Sequence, residues 1–265
     1  MADLPADIQP DVIRPLLTGS VGRDLRVLAE ADSTNDVVME AGQQGEPEGL
    51  AVLADRQMRG RGRAGRSWAS PPGVGIYTSI LLRPRLKPAE CARIPLLVGL
   101  AVAEAIEAVT GCSPALKWPN DLLLDKRKVA GVLMEMASRG TEVSHLCVGI
   151  GINVLHTPED FPVAVRDFAT SLRMATGRAV HRGALTAAVY NALDRRYAAC
   201  VAGGPDWLGE VRRRMPMLGH AVAVHAVQRV WPGTALDIDA DGALLVEDEG
   251  HAIRRVFADE VMVRN

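Results

Sequence analysis

Residues 128–154 read KVAGVLMEMASRGTEVSHLCVGIGINV. Two apolar-rich runs, KVAGVLMEMAS and HLCVGIGINV, carry strand signals on either side of a polar turn near Arg139–Thr141. Antiparallel pairing is the simplest connection between them.

The elements around this pair alternate irregularly. Strand signals lie upstream at LRVLAE (25–30), LAVLAD (50–55), VGIYTSILLRP (74–84), ALKW (115–118) and LLL (122–124). A helix can start after Asp32 or Ser33, with Val37, Val38 and Ala41 on one face. Residues 91–109 form the most apolar helix, stopped by Gly111. Further helices are expected over 183–201 and 205–214. This mix favours an α+β fold, a mixed sheet with packed helices, over a doubly wound parallel sheet. The pattern changes after Met215. HAVAVHAV, TALDIDA, ALLVED, HAIRRVF and EVMVR are short strand signals, and Asp241-Gly242 is a hairpin turn signal. They suggest a small SH3-like β-barrel, so the expected division is 1–215 and 216–265.

The 265 residues are 48% hydrophobic and 23% charged, which excludes wholesale disorder. Thirty Lys+Arg against thirty-two Asp+Glu leave a net charge of −2, which argues against a protein coated by nucleic acid. The four cysteines (Cys91, Cys112, Cys147, Cys200) show no CxxC spacing and read as free thiols. The start lacks the pattern of a signal peptide, and no apolar run reaches the roughly 18 residues of a membrane span. The expected location is cytoplasmic. Pro5, Pro10 and Pro15 limit residues 1–20 to a short helix, too little for a three-helix DNA-binding module.

The sharpest local signal is Arg59-Gly60-Arg61-Gly62-Arg63-Ala64-Gly65-Arg66. Glycines let the backbone approach a ligand and present N–H groups to anions. Guanidinium groups grip phosphate or carboxylate with paired hydrogen bonds. Without a ligand, four crowded positive charges repel, so the loop is expected to be mobile and to order around an anion. Read alone, it also fits a solvated basic loop or a nucleic-acid contact. Lys117-Trp118-Pro119-Asn120-Asp121 places a cation and a potential Mg²⁺ ligand at a strand end, and alone fits a capped turn. Lys128-Val129-Ala130-Gly131 puts a glycine inside a strand, where a ligand or a bulge can require it. Gly149-Ile150-Gly151-Ile152-Asn153 matches no nucleotide-loop motif. Ser33-Thr34-Asn35 alone reads as a helix cap.

Taken in order, STN, Q-x-x-G-R-G-R-x-G-R, KWPND, K-x-A-G and GxGxN strongly resemble the biotin–protein ligases, also called biotin–[acetyl-CoA-carboxylase] ligases, over about residues 25–265. The resemblance implies a catalytic domain related to lipoate ligases and class II synthetases, followed by the small barrel. Some members of the family carry an N-terminal helix-turn-helix; with too little sequence before Ser33 to hold one, this chain is expected to be of the monofunctional type, without specific DNA binding, and no membrane attachment is expected. The resemblance also implies formation of biotinyl-5′-AMP from biotin and MgATP, then transfer of biotin to a lysine of a biotin carboxyl carrier domain. ATP is then a co-substrate, Mg²⁺ the metal, and a homodimer possible in the family.

By the same resemblance Ser33, Thr34, Asn35 and Gln57 line the biotin pocket, and Gly131 leaves room for the biotin rings. Gly60 through Arg66 close over biotin and adenylate, with Arg63 at the carboxylate and α-phosphate and Arg61 and Arg66 supporting ATP. Lys128 reaches the same junction. Lys117 and Asn120 contact phosphates, Asp121 engages Mg²⁺ or positions Lys117, Asn153 lies near adenine or ribose, and Trp68 packs beside the nucleotide or in the core. The catalytic set is thus Arg63, Lys117 and Lys128. Ala64 departs from the basic or bulky residue common there, and Phe161 is the candidate cover for adenine. A lipoate or octanoate ligase, a nucleic-acid binder and a biotin sensor are the competing readings. The motif roles predict that Arg63→Ala loses most biotin transfer while Arg59→Ala loses little; equal losses in a transfer assay would contradict them.

Overall fold

The computed structural model describes residues 4–140, 142–201, 207–226, 230–257 and 260–263. Seven strands form the larger sheet: β1 (Leu25–Ala31), β2 (Ala51–Gln57), β3 (Gly75–Leu82), β4 (Ala115–Lys117), β5 (Asp121–Leu124), β6 (Arg127–Arg139) and β7 (Glu142–Asn153). Their spatial order is β1-β2-β3-β7-β6-β5-β4. β1 and β2 are parallel and the other neighbours antiparallel, so the sheet is mixed, as expected. β6 and β7 pair from Ala130↔Ile152 to Arg139↔Glu142. Thr141, in the expected turn, lies outside the described residues.

The helices are α1 (Pro10–Ile13), α2 (Thr34–Gln43), α3 (Ile94–Thr110), α4 (Leu172–Thr176), α5 (Arg182–Val201) and α6 (Trp207–Arg213). The expected helix over 91–109 divides into a 3₁₀ segment, Pro88–Arg93, and α3, because Pro95 suits a first turn, where its missing N–H costs nothing. Gly111, at φ 77°, ends α3 in the left-handed conformation. Residues 205 and 206 of the last expected helix lie outside the described residues.

Strand side chains alternate between faces, and the two faces here have different covers. Leu53, Ile80, Val148 and Ile150 point to the main core with α3 and α5. Every residue from Leu96 to Ala103 is buried, which explains why α3 is apolar on all sides. Val52, Leu81 and Cys147 point the other way, against Val38 and Ala41 of α2. Burial of each large aliphatic side chain contributes roughly 1.5–3 kcal/mol. α2 covers only part of its face. Its first turn reaches Gly149, and beyond it the Trp68 indole lies on the strands.

The N-terminal segment is tied down by Arg182, a residue only 2% exposed. Its guanidinium pairs with Asp7 and with Asp55, each at 2.7 Å. The hydrogen bond from Arg182 holds the Asp7 carboxyl below the usual carboxylate range.

The smaller sheet contains β8 (Ala221–His225), β9 (Val230–Ile238), β10 (Leu244–Asp248), β11 (Ile253–Val256) and β12 (Glu260–Val263), in the order β11-β10-β9-β8-β12. All its pairs are antiparallel, and Val222, Val224, Ala235, Leu244, Val246 and Val261 are buried there. Val227 of the first expected strand lies outside the described residues. Asp241-Gly242 sits in the β9–β10 turn, with Gly242 at φ 88°. The Gly242 carbonyl accepts a 3.0 Å hydrogen bond from Trp118 Nε1, and a Cβ there would fall 2.8 Å from Arg93 Cα. The turn of the small sheet therefore rests directly on the KWPND segment.

Just past β7, His156 is buried and stacks on Phe161 with 5.0 Å between ring centroids. Its Nε2 is 3.3 Å from the Tyr77 hydroxyl, which donates to Pro71 O. Burial lowers its pKa to about 4, against a smaller opposing effect of Asp160. The unfolded chain takes up this proton near pH 6.5, before the folded protein does. The contribution is therefore complete above that pH and falls by about 3 kcal/mol as pH drops to about 4. Urea midpoints measured at pH 7 and pH 4.5 should show a smaller acid loss in His156→Gln than in wild type. Equal losses would remove His156 from the acid response.

Candidate active site

Strand register lines up the chemistry-bearing residues. Lys117 faces Asp121, Asp121 faces Gly131, and Gly131 faces Gly151 across β4, β5, β6 and β7. Directly opposite residues project to one face of a sheet. The row thus presents a cation, a carboxylate and then two glycines. Lys128 Nζ lies 2.6 Å from Asp121 Oδ1 and 5.1 Å from the Trp68 ring centroid.

The glycines are required by close approach. A Cβ on Gly151 would fall 2.5 Å from Trp68 Cε2, and one on Gly131 3.1 Å from Trp68 Cζ3 and from Lys128 Cε. A Cβ on Gly149 would fall 2.2 Å from Asn35 Oδ1. The GxGxN strand is thinned because two site side chains lie across it.

A chain of side-chain hydrogen bonds crosses the same face. Gln57 Nε2 donates to Ser70 Oγ at 3.0 Å, and Gln57 Oε1 accepts from the Thr34 N–H at 2.9 Å. Thr34 Oγ1 is 2.7 Å from Ser79 Oγ, which donates to Asn35 Oδ1 at 2.6 Å. Asn35 Nδ2 donates to Glu135 Oε2 at 2.5 Å. Ser33 occupies the N-cap position of α2, is buried, and makes no side-chain capping bond. The polar STN run therefore joins this buried network as well as starting a helix.

The Arg/Gly loop folds back on itself. Gly62 N–H donates to Arg66 O at 2.6 Å, Arg66 N–H to Arg63 O, and Trp68 N–H to Gly60 O. A Cβ on Gly60 would meet Trp68 O at 2.5 Å. The expected repulsion between four arginines is offset by carboxylates from the start of α2 and from β6. Arg59 pairs with Asp32, and Arg61 with Asp36 at 2.7 Å and Glu135 at 3.0 Å. The hydrogen bond to Asp36, aided by Glu135, raises the Arg61 pKa above its ordinary value. Arg63 Nη1 donates to Asn120 Oδ1 at 3.4 Å, and Asn120 Nδ2 donates to Val132 O at 2.6 Å. Asn120 thus links the loop to β6.

Other expected site residues take particular places. Asn153 is buried, and its amide donates to Lys128 O at 3.3 Å and Thr170 O at 3.0 Å, holding the backbone that presents Lys128. Phe161 is buried against His156 and so does not face this floor as an open ring. Phe168, which sequence reasoning missed, is 73% exposed, and its carbonyl accepts from Lys128 N–H at 2.7 Å. Glu135 and Ser79 were also missed; both lie on the site face by strand alternation, Glu135 four residues beyond Gly131. Among the described residues no group of three His, Cys, Asp or Glu forms a metal cage, and none makes a membrane-spanning helix.

The model of the Biotin/lipoate A/B protein ligase family matches residues 27–153. The fold and site thus define a member of this ligase class. The chain is 32% identical to the biotin--[acetyl-CoA-carboxylase] ligase of Mycobacterium tuberculosis, over 93% of this chain and 91% of that protein. It is also 32% identical to the bifunctional ligase/repressor BirA of Bacillus subtilis, over 93% of this chain and 76% of that protein. The structure of the biotin protein ligase from Aquifex aeolicus in complex with biotin and ATP matches with a TM-score of 0.79 and 31% identity, covering 91% of this chain and 100% of that one. The chain belongs to the biotin protein ligase family.

Gly149→Ala should lower stability by about 1–3 kcal/mol through the clash with Asn35. In an Asn35→Ala background the same substitution should cost much less, because the clash is gone. Equal costs in the two backgrounds, measured by urea unfolding, would contradict this account of the glycine.

Proposed function

We propose that this protein is an ATP-dependent biotin–protein ligase that forms biotinyl-5′-AMP and pyrophosphate, then transfers biotin to one lysine of a carboxylase carrier domain. The observation that carries this reading is the row Lys117, Asp121, Gly131, Gly151, with Lys128 and the Arg/Gly loop beside it. Attack by the biotin carboxylate on the α-phosphate brings two anions together. Arg63 and Lys128 offset that repulsion and stabilise charge on the phosphoryl group; Lys117 and Asn120 hold the phosphates.

The residues fit the nucleotide. The glycine floor seats the Trp68 indole, a flat surface for a ligand ring, and Trp68 Nε1 is buried without a hydrogen-bond partner, so it can donate to one. Phe168, exposed next to Lys128, covers adenine in place of Phe161. Asn153 acts by holding the Lys128 and Thr170 backbone near the nucleotide. Asp121 is the carboxylate that would hold Mg²⁺, which would supply neutralisation of phosphate charge. Ser33, Thr34, Asn35, Gln57 and Gly131 form the biotin end, and Gly60 to Arg66 shield the adenylate from water, with Arg61 and Arg66 ordering the loop. Residues 1–215 form the catalytic unit and 216–265 the small barrel. The protein works in the cytoplasm without DNA binding. The outer edge of β1 offers unpaired backbone groups for a second copy of the chain.

Intact mass of a biotin carboxyl carrier domain incubated with this protein, biotin and MgATP should rise by one biotin less one water, and only with ATP. Modification of a lipoyl domain with lipoate instead would transfer the reading to lipoate ligation. Phe168→Ala should raise the KM for ATP about tenfold, the size expected for one lost base–aromatic stack, and leave the KM for biotin nearly unchanged. An unaltered KM for ATP would remove Phe168 from the adenine site.

A further inference from the structure

The structure assigns Glu135 a positioning role: it joins the biotin end of the site to the Arg/Gly loop, so that occupancy of one is felt by the other. This rests on the placement of biotin proposed above. Glu135 Oε2 accepts from Asn35 Nδ2 at 2.5 Å and from Arg61 Nη2 at 3.0 Å, and Oε1 from Arg61 Nη2 at 3.3 Å. One carboxylate thus holds a pocket amide and a loop guanidinium together. Neither partner has much freedom to turn away. Asn35 Oδ1 already accepts from Ser79 Oγ, in space that Gly149 leaves open. Arg61 is also held by Asp36, and its backbone forms a β-bridge with Ser67 at the stem of the loop.

The same hydrogen-bond chain continues from Asn35 through Ser79 to the Thr34 hydroxyl, and from the Thr34 N–H through Gln57 to Ser70. Ser70 Oγ in turn donates to the carbonyl of Trp68, where the loop ends. Both stems of the loop are therefore connected through the floor of the pocket, and Glu135 is the charged joint on the Arg61 side. A ligand that draws on the Asn35 amide changes the load on Glu135 and hence on Arg61. In this arrangement Glu135 touches neither reacting atoms nor phosphate; it acts through Asn35 and Arg61. Loop closure over the adenylate is the step it governs.

Glu135→Gln keeps an acceptor for Asn35 but removes one of the two charges that hold Arg61, leaving Asp36. In the ligand-free protein, trypsin should then cut within residues 59–66 about fivefold faster, and pre-formed biotinyl-5′-AMP should be released about tenfold faster. Biotin affinity should stay within about threefold in Glu135→Gln and fall about tenfold in Glu135→Ala, which also strands Asn35. Arg61→Gln should give the same loop acceleration, and adding Glu135→Gln to it should add little. Wild-type cleavage and release rates in Glu135→Gln would overturn the proposal. So would a lowered thermal midpoint with no change in either rate, the signature of a structural role alone. Absence of biotin binding by the wild type would sink the ligase reading, while the cleavage rates would still decide whether Glu135 holds the loop.

Discussion

Everything in the site depends on one register, the pairing of Gly131 with Gly151 across β6 and β7. A slip of one residue would turn Val132 or Ile150, now in the core, onto the face that carries Trp68. It would also turn Lys117 and Asp121 away from the floor, because they belong to the same row. The large core behind the sheet, built on α3, holds this register: Ala130, Val132, Val148, Ile150 and Ile152 are all buried in it. Packing on one face thereby sets the chemistry on the other.

The second organising feature is charge placement. A loop with four arginines in eight residues is unstable as an isolated segment. Here Arg59 and Arg61 meet carboxylates at the start of α2 and on β6, whereas Arg63 reaches Asn120 of the KWPND segment. The exposed Arg59–Asp32 pair contributes little, as such surface pairs do. The Arg61 cluster is more enclosed and fixes the stem of the loop. The loop is thus anchored on one side by carboxylates of α2 and β6 and on the other by Asn120 of the KWPND segment.

Much of this was legible in the chain. The antiparallel β6–β7 pair, the apolar α3, its glycine stop and the β9–β10 turn all follow from local patterning. The STN, Arg/Gly, KWPND, KxAG and GxGxN segments do converge on one face. Other features were not legible for definite reasons. Glu135 sits in a run read only as a strand, and its partners Asn35 and Arg61 are distant in sequence. The carboxylates that quiet the loop arginines look like ordinary acidic residues at a helix start. Phe161 and Phe168 are both plausible aromatics in one segment, and only tertiary packing separates the buried ring from the exposed one. Asn153 reads in the sequence only as a polar strand end, which cannot reveal that its amide donates to the backbone of Lys128 and Thr170.

The β9–β10 turn has a further meaning. A surface hairpin carrying Asp-Gly is ordinarily where a protein accepts inserted sequence, a tag or a reporter. In this chain the turn is load-transmitting: Gly242 holds the Trp118 indole through its carbonyl and lies flush against the Arg93 backbone. Lengthening it would pull on the residue between Lys117 and Pro119. Sequence drift or engineering at this turn is therefore constrained by the KWPND segment more than 100 positions upstream, and the β10–β11 turn, which makes no such contact with Trp118, is the site of choice for a fusion.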